Sequence, residues 1–272
     1  MKISVCIPVY NGEQFIERTI QSVLNQTFSD YELLIVDNCS TDSTVEKVKG
    51  FHDTRIKLVQ NDKNYGMFGN WNICIHSAQG EYIHLLCADD ALQPRCLEKQ
   101  VKILDMHTDV AFVFNASNVV NEQDKNIMKR RPFRKNMIFD GKYLARRSFR
   151  TKNLFGEPSN VLFRKSVMEK VGDFSSDVCY SADWDFWMRL AMEGRVAYID
   201  ECLTNFRIST TSGTSQLLKQ REKMKKDDQE LIARAKQNPK FHITGWDIFM
   251  HTIAIKIRLY AKIVFCLLVK NS

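Results

Sequence analysis

Proline and glycine are scarce in this chain, five and eleven in 272 residues, which leaves no material for a long flexible linker. Close cysteine pairs are also missing. Eight cysteines (Cys6, Cys39, Cys74, Cys87, Cys96, Cys179, Cys202, Cys266) are scattered without a CxxC, so neither a zinc site nor a disulfide frame is expected. Several sit inside apolar runs and read as small buried hydrophobes in a reducing compartment. Neither GxxxxGK[ST] nor GxGxxG occurs, which removes the two commonest glycine-rich phosphate loops. In the apolar stretch Trp246–Val269 the longest charge-free piece is eight residues, Ile248–Ile255, against the roughly 18–20 needed to cross a bilayer. The first residues run straight into a strand pattern without the charged and apolar regions of a leader, so export is not expected.

What is present describes a folded protein. Hydrophobic residues make up 44% and charged residues 26%, which excludes a disordered or fibrous chain. The length suits one large domain, or a domain with an extension. Net charge is +7, and it is concentrated. Lys125, Lys129, Arg130, Arg131, Arg134, Lys135, Lys142, Arg146, Arg147, Arg150 and Lys152 face a single acid, Asp140, so residues 125–152 carry +10 and the rest −3. Such density points to an anionic partner or to a well-solvated loop and helix face.

Apolar runs at Ile3–Val9, Tyr31–Val36, Arg55–Val59, Glu81–Leu86 and Val110–Phe114 read as strands. Helical spacing separates them at Phe15–Leu24, Val45–Val48, residues 67–78 and Leu97–Leu104. The alternation specifies βαβ units and a parallel α/β sheet. Ligands in such sheets bind at the carboxyl ends of the strands. Tyr10-Asn11-Gly12, Asp37-Asn38 and Asp89-Asp90 all fall there. The second half is less regular, with strands at Asn160–Phe163 and Val196–Ile199. Helices are expected at Val167–Val171, Ala182–Met192 and Gln216–Lys236, followed by the apolar segment Phe241–Val269.

Two carboxylates at a strand end, Asp89 and Asp90, can hold a hard divalent cation through oxygen. Asp183, beside large aromatics at a helix start, is a candidate general base if desolvation raises its pKa. An N-cap carboxylate over a core helix is the plainer alternative. Asp185, two residues on, is its competitor and points to another face.

Taken together, Pro8-Val-Tyr-Asn-Gly-Glu13, Ser22-Val-Leu-Asn-Gln26, Ile35-Val-Asp-Asn-Cys-Ser-Thr-Asp42, Ala78-Gln-Gly-Glu-Tyr82, Ala88-Asp-Asp90 and Ala182-Asp-Trp-Asp-Phe-Trp-Met-Arg189 resemble the family 2 glycosyltransferases. The resemblance spans about residues 2–210. It implies the GT-A fold, a mostly parallel central sheet flanked by helices, over residues 1–212, with a helical extension from 213 to 272. It implies an inverting enzyme that uses a nucleotide sugar, a UDP-sugar by family frequency, and Mn2+ or Mg2+. Tyr10 would stack on the nucleobase, Asp37 would accept from its ring N–H, and the backbone of Pro8 and Val9 would complete the slot. Asp90 would be the main metal ligand, and Asp89 would reach ribose or metal. Asp183 would be the base, Trp184 would line the acceptor site or else be an ordinary core aromatic, and Arg207 or the Ser/Thr run after it would contact the diphosphate, the alternative being a surface turn.

Three departures from the family pattern stand out. Asn38 and Cys39 replace the usual acid and glycine after Asp37, and Cys87 replaces an acid two residues before Asp89. The segment Phe206–Ser215 lacks the His often found there. In the C-terminal stretch, Trp246, Phe249, Ile253, Ile257, Tyr260 and Val264 form one helical stripe. The stripe suits a helix lying on an anionic membrane surface or, alternatively, docked on the protein or in a homodimer. Family analogy adds a glycan acceptor on polyprenyl diphosphate, at the cytoplasmic face of a bacterial cell membrane, in surface-polysaccharide assembly. The rivals are an inactive nucleotide- or glycan-binding relative, a sugar-phosphate nucleotidyltransferase and a nucleic-acid binder. A nucleotidyltransferase would want a glycine-rich basic loop that Pro8–Glu13 does not supply. Nucleic-acid binding would leave the carboxylates unexplained, and no nucleic-acid partner is expected.

Overall fold

A run such as Ile3-Ser-Val-Cys-Ile-Pro-Val is stable only where both faces of a strand are covered. The computed structural model describes residues 1–208 and 221–270, apart from the side chains of 221–224 and 258–270. Every residue of β1 (Ile3–Val9) and β2 (Tyr31–Asp37) is buried in it. On one side, β1 pairs in parallel with β2, which continues to β3 (Ile56–Gln60). On its other side lies β4 (Tyr82–Leu85), again parallel. Helix α1 (Ile16–Leu24) turns Ile16, Thr19, Ile20 and Val23 onto one face of this sheet, and α3 (Gly66–Ser77) covers the other. Between them, α2 (Thr44–Lys49) packs on α1.

Beyond β4 the sheet becomes mixed. Among the described residues ten strands form one sheet, in the order β3-β2-β1-β4-β9-β6-β10-β5. Here β5 is Ala91–Leu92, β6 Val110–Val120, β9 Val161–Arg164 and β10 Arg195–Arg207. Two short strands, β7 (Asn126–Arg130) and β8 (Met137–Phe139), pair with β6 and β10. Strand β9 runs antiparallel to both β4 and β6, whereas β6 and β10 are parallel. The expected parallel arrangement therefore describes the β3-β2-β1-β4 half, and antiparallel pairings prevail beyond it.

Strands β6 and β10 run well past the expected Val110–Phe114 and Val196–Ile199. Polar residues break the apolar run, yet they are paired inside. Asn115 donates to the Thr204 hydroxyl at 3.1 Å and accepts from Gln100 at 2.8 Å. Helix α4 (Cys96–Met106) supplies that glutamine. Helix α5 (Gly141–Thr151) was hidden by its arginines. Asp140 caps it, accepting from the Tyr143 N–H at 2.8 Å, and Leu144, Ala145, Ser148 and Phe149 form its buried face. Gly141 has no substitute, because a Cβ there would lie 2.0 Å from the carbonyl oxygens of Ala191 and Gly194.

Helices α6 (Lys165–Val171) and α7 (Ala182–Ala191) complete the second core, around Phe112, Phe163, Phe186 and Trp187. The extension docks onto it. From α8 (Arg221–Gln237), Leu231 and Ala235 enter this core. From α9 (Gly245–Lys270), buried Asp247 pairs with Arg146 and Arg150, and His251 stacks on Phe149 at 4.2 Å. The expected boundary at 212/213 lies outside the described residues.

One core residue is anomalous. His84 on β4 is fully buried, and neither ring nitrogen has a hydrogen-bond partner among the described residues. Burial pushes its pKa from 6.5 down to about 3, so it folds neutral while the unfolded chain takes up a proton. Native stability is therefore held above pH 6.5 and lost as pH falls toward 3. His84→Leu should raise stability at pH 7 by about 1–3 kcal/mol and remove this acid sensitivity. Urea midpoints at pH 4.5 and 7.5 measure both, and a variant less stable than wild type at each pH would show that the imidazole stabilises the core.

Candidate active site

The register of the parallel strands brings three loops together. Val9 pairs with Asp37, so Tyr10 and Asn38 leave the sheet side by side. Asn11 and Cys39 have φ of 49° and 65°, turns that return each strand to its helix. The loops are stitched by Asn11 N–H to the Ser40 hydroxyl at 2.9 Å and Thr41 N–H to the Asn11 side chain at 2.9 Å. Pro8 and Val9 lie buried in β1, and the Val9 carbonyl accepts from Asn38 N–H at 2.8 Å. Tyr10 presents its ring to solvent, 50% exposed. Asp37 is buried. One of its oxygens accepts from Ser40 N–H at 3.1 Å, while Oδ1 has no partner among the described residues. A buried, unanswered acceptor is costly unless a ligand meets it.

Asn38, the departure beside it, is also buried. Its amide donates to Asn64 and to the Gly66 carbonyl, and its oxygen accepts from Asn61 and from Tyr65 N–H. An acid there would lack those donors, so the neutral residue ties the β3–α3 loop to the slot.

The carboxylate pair follows β4. Asp90 is buried with both oxygens engaged: the Ser159 hydroxyl donates to Oδ2 and the Arg207 N–H to Oδ1 at 2.8 Å. Burial and the neighbouring Asp89 push its carboxyl well up, against Ser159 and Arg207. Asp89 is only partly buried, and burial pushes it up as well. The structure thus leaves Asp89 more open than Asp90. Ser159 is a further site residue, accepting from Cys87 N–H at 3.0 Å while it donates to Asp90. No group of three or more His, Cys, Asp and Glu able to hold a metal gathers among the described residues. One or two carboxylates are nonetheless the usual protein contribution to a magnesium site completed by substrate phosphates, so the oxygen donors present fit such an ion.

Asp183 lies on the first turn of α7. Its oxygens accept from Trp184 N–H at 2.7 Å and from the Asn153 amide at 3.2 Å. Desolvation raises its pKa to about 6, against these bonds and the charge of Arg130. Arg130 itself pairs with Glu157. Burial pushes the Cys87 thiol up, and Asp90, Asp89 and Asp183 push it further, so the three carboxylates share one electrostatic neighbourhood. Asp185, the competitor, is buried elsewhere in a 2.9 Å pair with Arg189.

Two expected residues are engaged within the protein itself. Trp184 is 4% exposed, and its indole N–H donates to Ser148 at 2.8 Å, which makes it a core aromatic and not an acceptor-lining one. Arg207 is 2% exposed. Its guanidinium donates to the carbonyls of Asp89 and Asn121 and to Asp124, and lies over Phe15, so it braces the Asp89-Asp90 loop where a diphosphate contact was expected. The rest of the Phe206–Ser215 segment, from residue 209 on, is outside the described residues. Ser159, Asn153 and Arg130 carried no local signal, because each meets its site partner only through tertiary packing.

Comparison with known proteins identifies the family and the fold. The profile described as Glycosyl transferase family 2 matches residues 4–172, more than half of the chain. The chain belongs to that family. Among relatives of this glycosyltransferase, UDP-Glc:alpha-D-GlcNAc-diphosphoundecaprenol beta-1,3-glucosyltransferase WfgD of Escherichia coli is 27% identical over 223 residues, 80% of this chain and 81% of the relative. Among solved structures, TarS 1–349 of S. aureus in complex with UDP-GlcNAc superposes with a TM-score of 0.75 at 18% identity, over 94% of this chain and 72% of that one. Mannosyltransferase PcManGT from Pyrobaculum calidifontis, in complex with GDP-Man and Mn2+, superposes with a TM-score of 0.65 at 19% identity, over 96% and 75%. The GT-A fold is shared with both.

Bracing and phosphate binding by Arg207 have different consequences. Arg207→Ala should lower stability by about 2–3 kcal/mol, because it leaves buried carbonyls without donors. Urea unfolding measures this. A variant of wild-type stability that binds donor poorly would restore the phosphate role.

Proposed function

We propose that this glycosyltransferase inverts the anomeric centre of a UDP-sugar donor while transferring the sugar to a hydroxyl of a lipid-linked glycan. The observation that carries it is Asp183, desolvated to a pKa of about 6 and held by Asn153 beside the Asp89-Asp90 loop. A carboxylate so poised is ionised at neutral pH and basic enough to accept a proton in the transition state. Asp183 takes the proton of the acceptor hydroxyl as that oxygen attacks the anomeric carbon. The carbon–phosphate oxygen bond breaks on the opposite side, and its electron pair leaves with the nucleoside diphosphate. One in-line displacement turns an α donor bond into a β product.

Tyr10 stacks on the nucleobase. Asp37 Oδ1 accepts a ring N–H, which uracil carries and cytosine lacks, and the backbone of Pro8 and Val9 walls the slot. Asp89, positioned by Asp90, Ser159 and Arg207, would hold Mn2+ or Mg2+, whose charge offsets that developing on the leaving diphosphate. The complexes of TarS with UDP-GlcNAc and of PcManGT with Mn2+ support a nucleotide-sugar donor and a divalent metal by analogy of fold.

The acceptor reading rests on the relative WfgD, whose name specifies a diphosphoundecaprenol-linked sugar, and on α9. Its outer face exposes Trp246 (60%), Phe249 (53%), Ile253 and Ile257, with exposed Lys256 alongside. On neighbouring α5, Lys142, Tyr143 and Arg147 are exposed. No helix among the described residues is long and apolar enough to cross a membrane. An apolar stripe flanked by cations suits the surface of an anionic bilayer, here the cytoplasmic face of a bacterial membrane where surface polysaccharides are built.

Asp183→Asn should lower kcat by at least ~100-fold while keeping the melting-temperature shift given by UDP-sugar with Mn2+. In the wild type, kcat/KM should fall as pH drops below about 6, where Asp183 becomes protonated. Normal turnover by the variant would remove Asp183 as the base. For α9, the double variant Trp246→Glu, Phe249→Glu should cease to float with phosphatidylglycerol vesicles and keep its melting temperature. Unchanged flotation would exclude the stripe as a lipid contact, and a dimer dissociated by the same changes would assign it to a second copy.

A further inference from the structure

The base sits at the end of a loop that is held from outside the matched family region. Helix α7 starts at Ala182, and the side chain of its N-cap residue, Ser181, makes no capping hydrogen bond. The preceding N–H groups are met instead by Asp227 on α8. Its Oδ1 accepts from Cys179 N–H at 3.1 Å, and its Oδ2 accepts from Ser181 N–H at 3.1 Å and from Tyr180 N–H. Three consecutive amides converging on one carboxylate form an anion cradle at a helix N-terminus, where the helix dipole also favours negative charge.

Asp227 is buried and shares its helix face with Leu231 and Ala235, four and eight residues on, both inside the second core. A second tie comes from the same helix. Arg234 donates to the Ser175 hydroxyl at 2.8 Å and to Asp177 at 2.7 Å, at the other end of the loop. The loop from Ser175 to Ser181 is thus clamped at both ends by α8, and Asp183 follows two residues later.

We propose that Asp227 is a positioning residue for the catalytic base, so that the helical extension is part of the catalytic unit. This inference rests on Asp183 being the base. Asp183 accepts from the N–H of Trp184 and from Asn153, so its carboxylate direction depends on where the first turn of α7 lies. A displacement of about 1 Å at a reacting group can cost ~100-fold in rate. Replacing Asp227 by Asn removes the charge and puts an NH2 group against at least one N–H, which frees the loop without emptying the core.

The test compares Asp227→Asn with Leu231→Ala, a change on the same helix that loosens its docking without touching the loop. Asp227→Asn should lower kcat by ~10–100-fold, with donor KM and the UDP-dependent melting shift within about twofold of wild type. Leu231→Ala should keep kcat within about threefold at an equal or larger loss of melting temperature. Wild-type kcat in Asp227→Asn overturns the proposal, as does an equal loss of kcat in Leu231→Ala. If Asp227→Asn does not fold, Arg234→Ala releases the other end of the loop from a more exposed side chain, and an unchanged kcat there counts against the clamp. The parallel Asp183→Asn assay separates the two readings. Turnover in Asp183→Asn removes the base itself, whereas an inactive Asp183→Asn beside a fully active Asp227→Asn removes only the positioning role.

Discussion

Moving a carboxylate out of water costs several kcal/mol unless donors meet it, and how this chain meets its buried acids orders the whole molecule. Some are answered by cations. Burial pushes Asp247 up, but Arg146, Thr244 and Arg150 hold it well below the usual range, and Lys57 and Ser4 do the same for Glu32. Such pairs fasten elements together. Others are answered by amides and hydroxyls: Asp90 by Ser159 and the Arg207 backbone, Asp183 by Trp184 N–H and Asn153, Asp227 by three N–H groups. In these burial wins, and each carboxyl is pushed up. Neutral donors orient a carboxylate while leaving its basicity available. That second kind of pairing gathers around the candidate site.

The same distinction explains what was legible in the sequence. Tyr10, Asp37 and the Asp89-Asp90 pair each follow an apolar strand directly, so their place at the carboxyl end of the sheet follows from local pattern. Asp183 and Asp185 were both visible, but spacing alone does not tell which faces the cleft. The structure separates them by giving Asp185 an arginine. Trp184 and Arg207 show the limit of residue type as a guide. Both have the chemistry of a ligand contact, yet one indole N–H is used by Ser148 and one guanidinium by backbone carbonyls. Direction is a tertiary property. Ser159, Arg130 and Asp227 were illegible for the same reason, since each is remote in the chain from the residue it meets and reaches it through packing.

Charge counting met a comparable limit. Eleven cations against one acid in residues 125–152 read as one basic surface. In the fold, Arg130 pairs with Glu157, Arg131 with Asp200, and Arg146 and Arg150 with Asp247. A cation already matched by a carboxylate contributes little to the field that steers an anion. The field of this stretch is therefore weaker than its sequence charge, and it is carried in part by residues such as Lys142 and Arg147, which lie on α5 against α9.

The extension then has two faces with different duties. Arg146 and Arg150 fix the start of α9 to α5 through Asp247, and His251 stacks on Phe149 one turn later. With this inner face held, Trp246, Phe249, Ile253 and Ile257 point outward as a set. Helix α8, on the same second core, grips the loop that leads into Asp183. Were the acceptor a lipid-anchored glycan, as proposed, its hydroxyl would reach the enzyme at a height set by the bilayer, and transfer tolerates misplacement of only about an ångström. Docking both helices on one rigid core would turn a contact at the membrane surface into a fixed position of Asp183 relative to that surface. Under the proposed function, surface attachment and base geometry would be two results of the same packing.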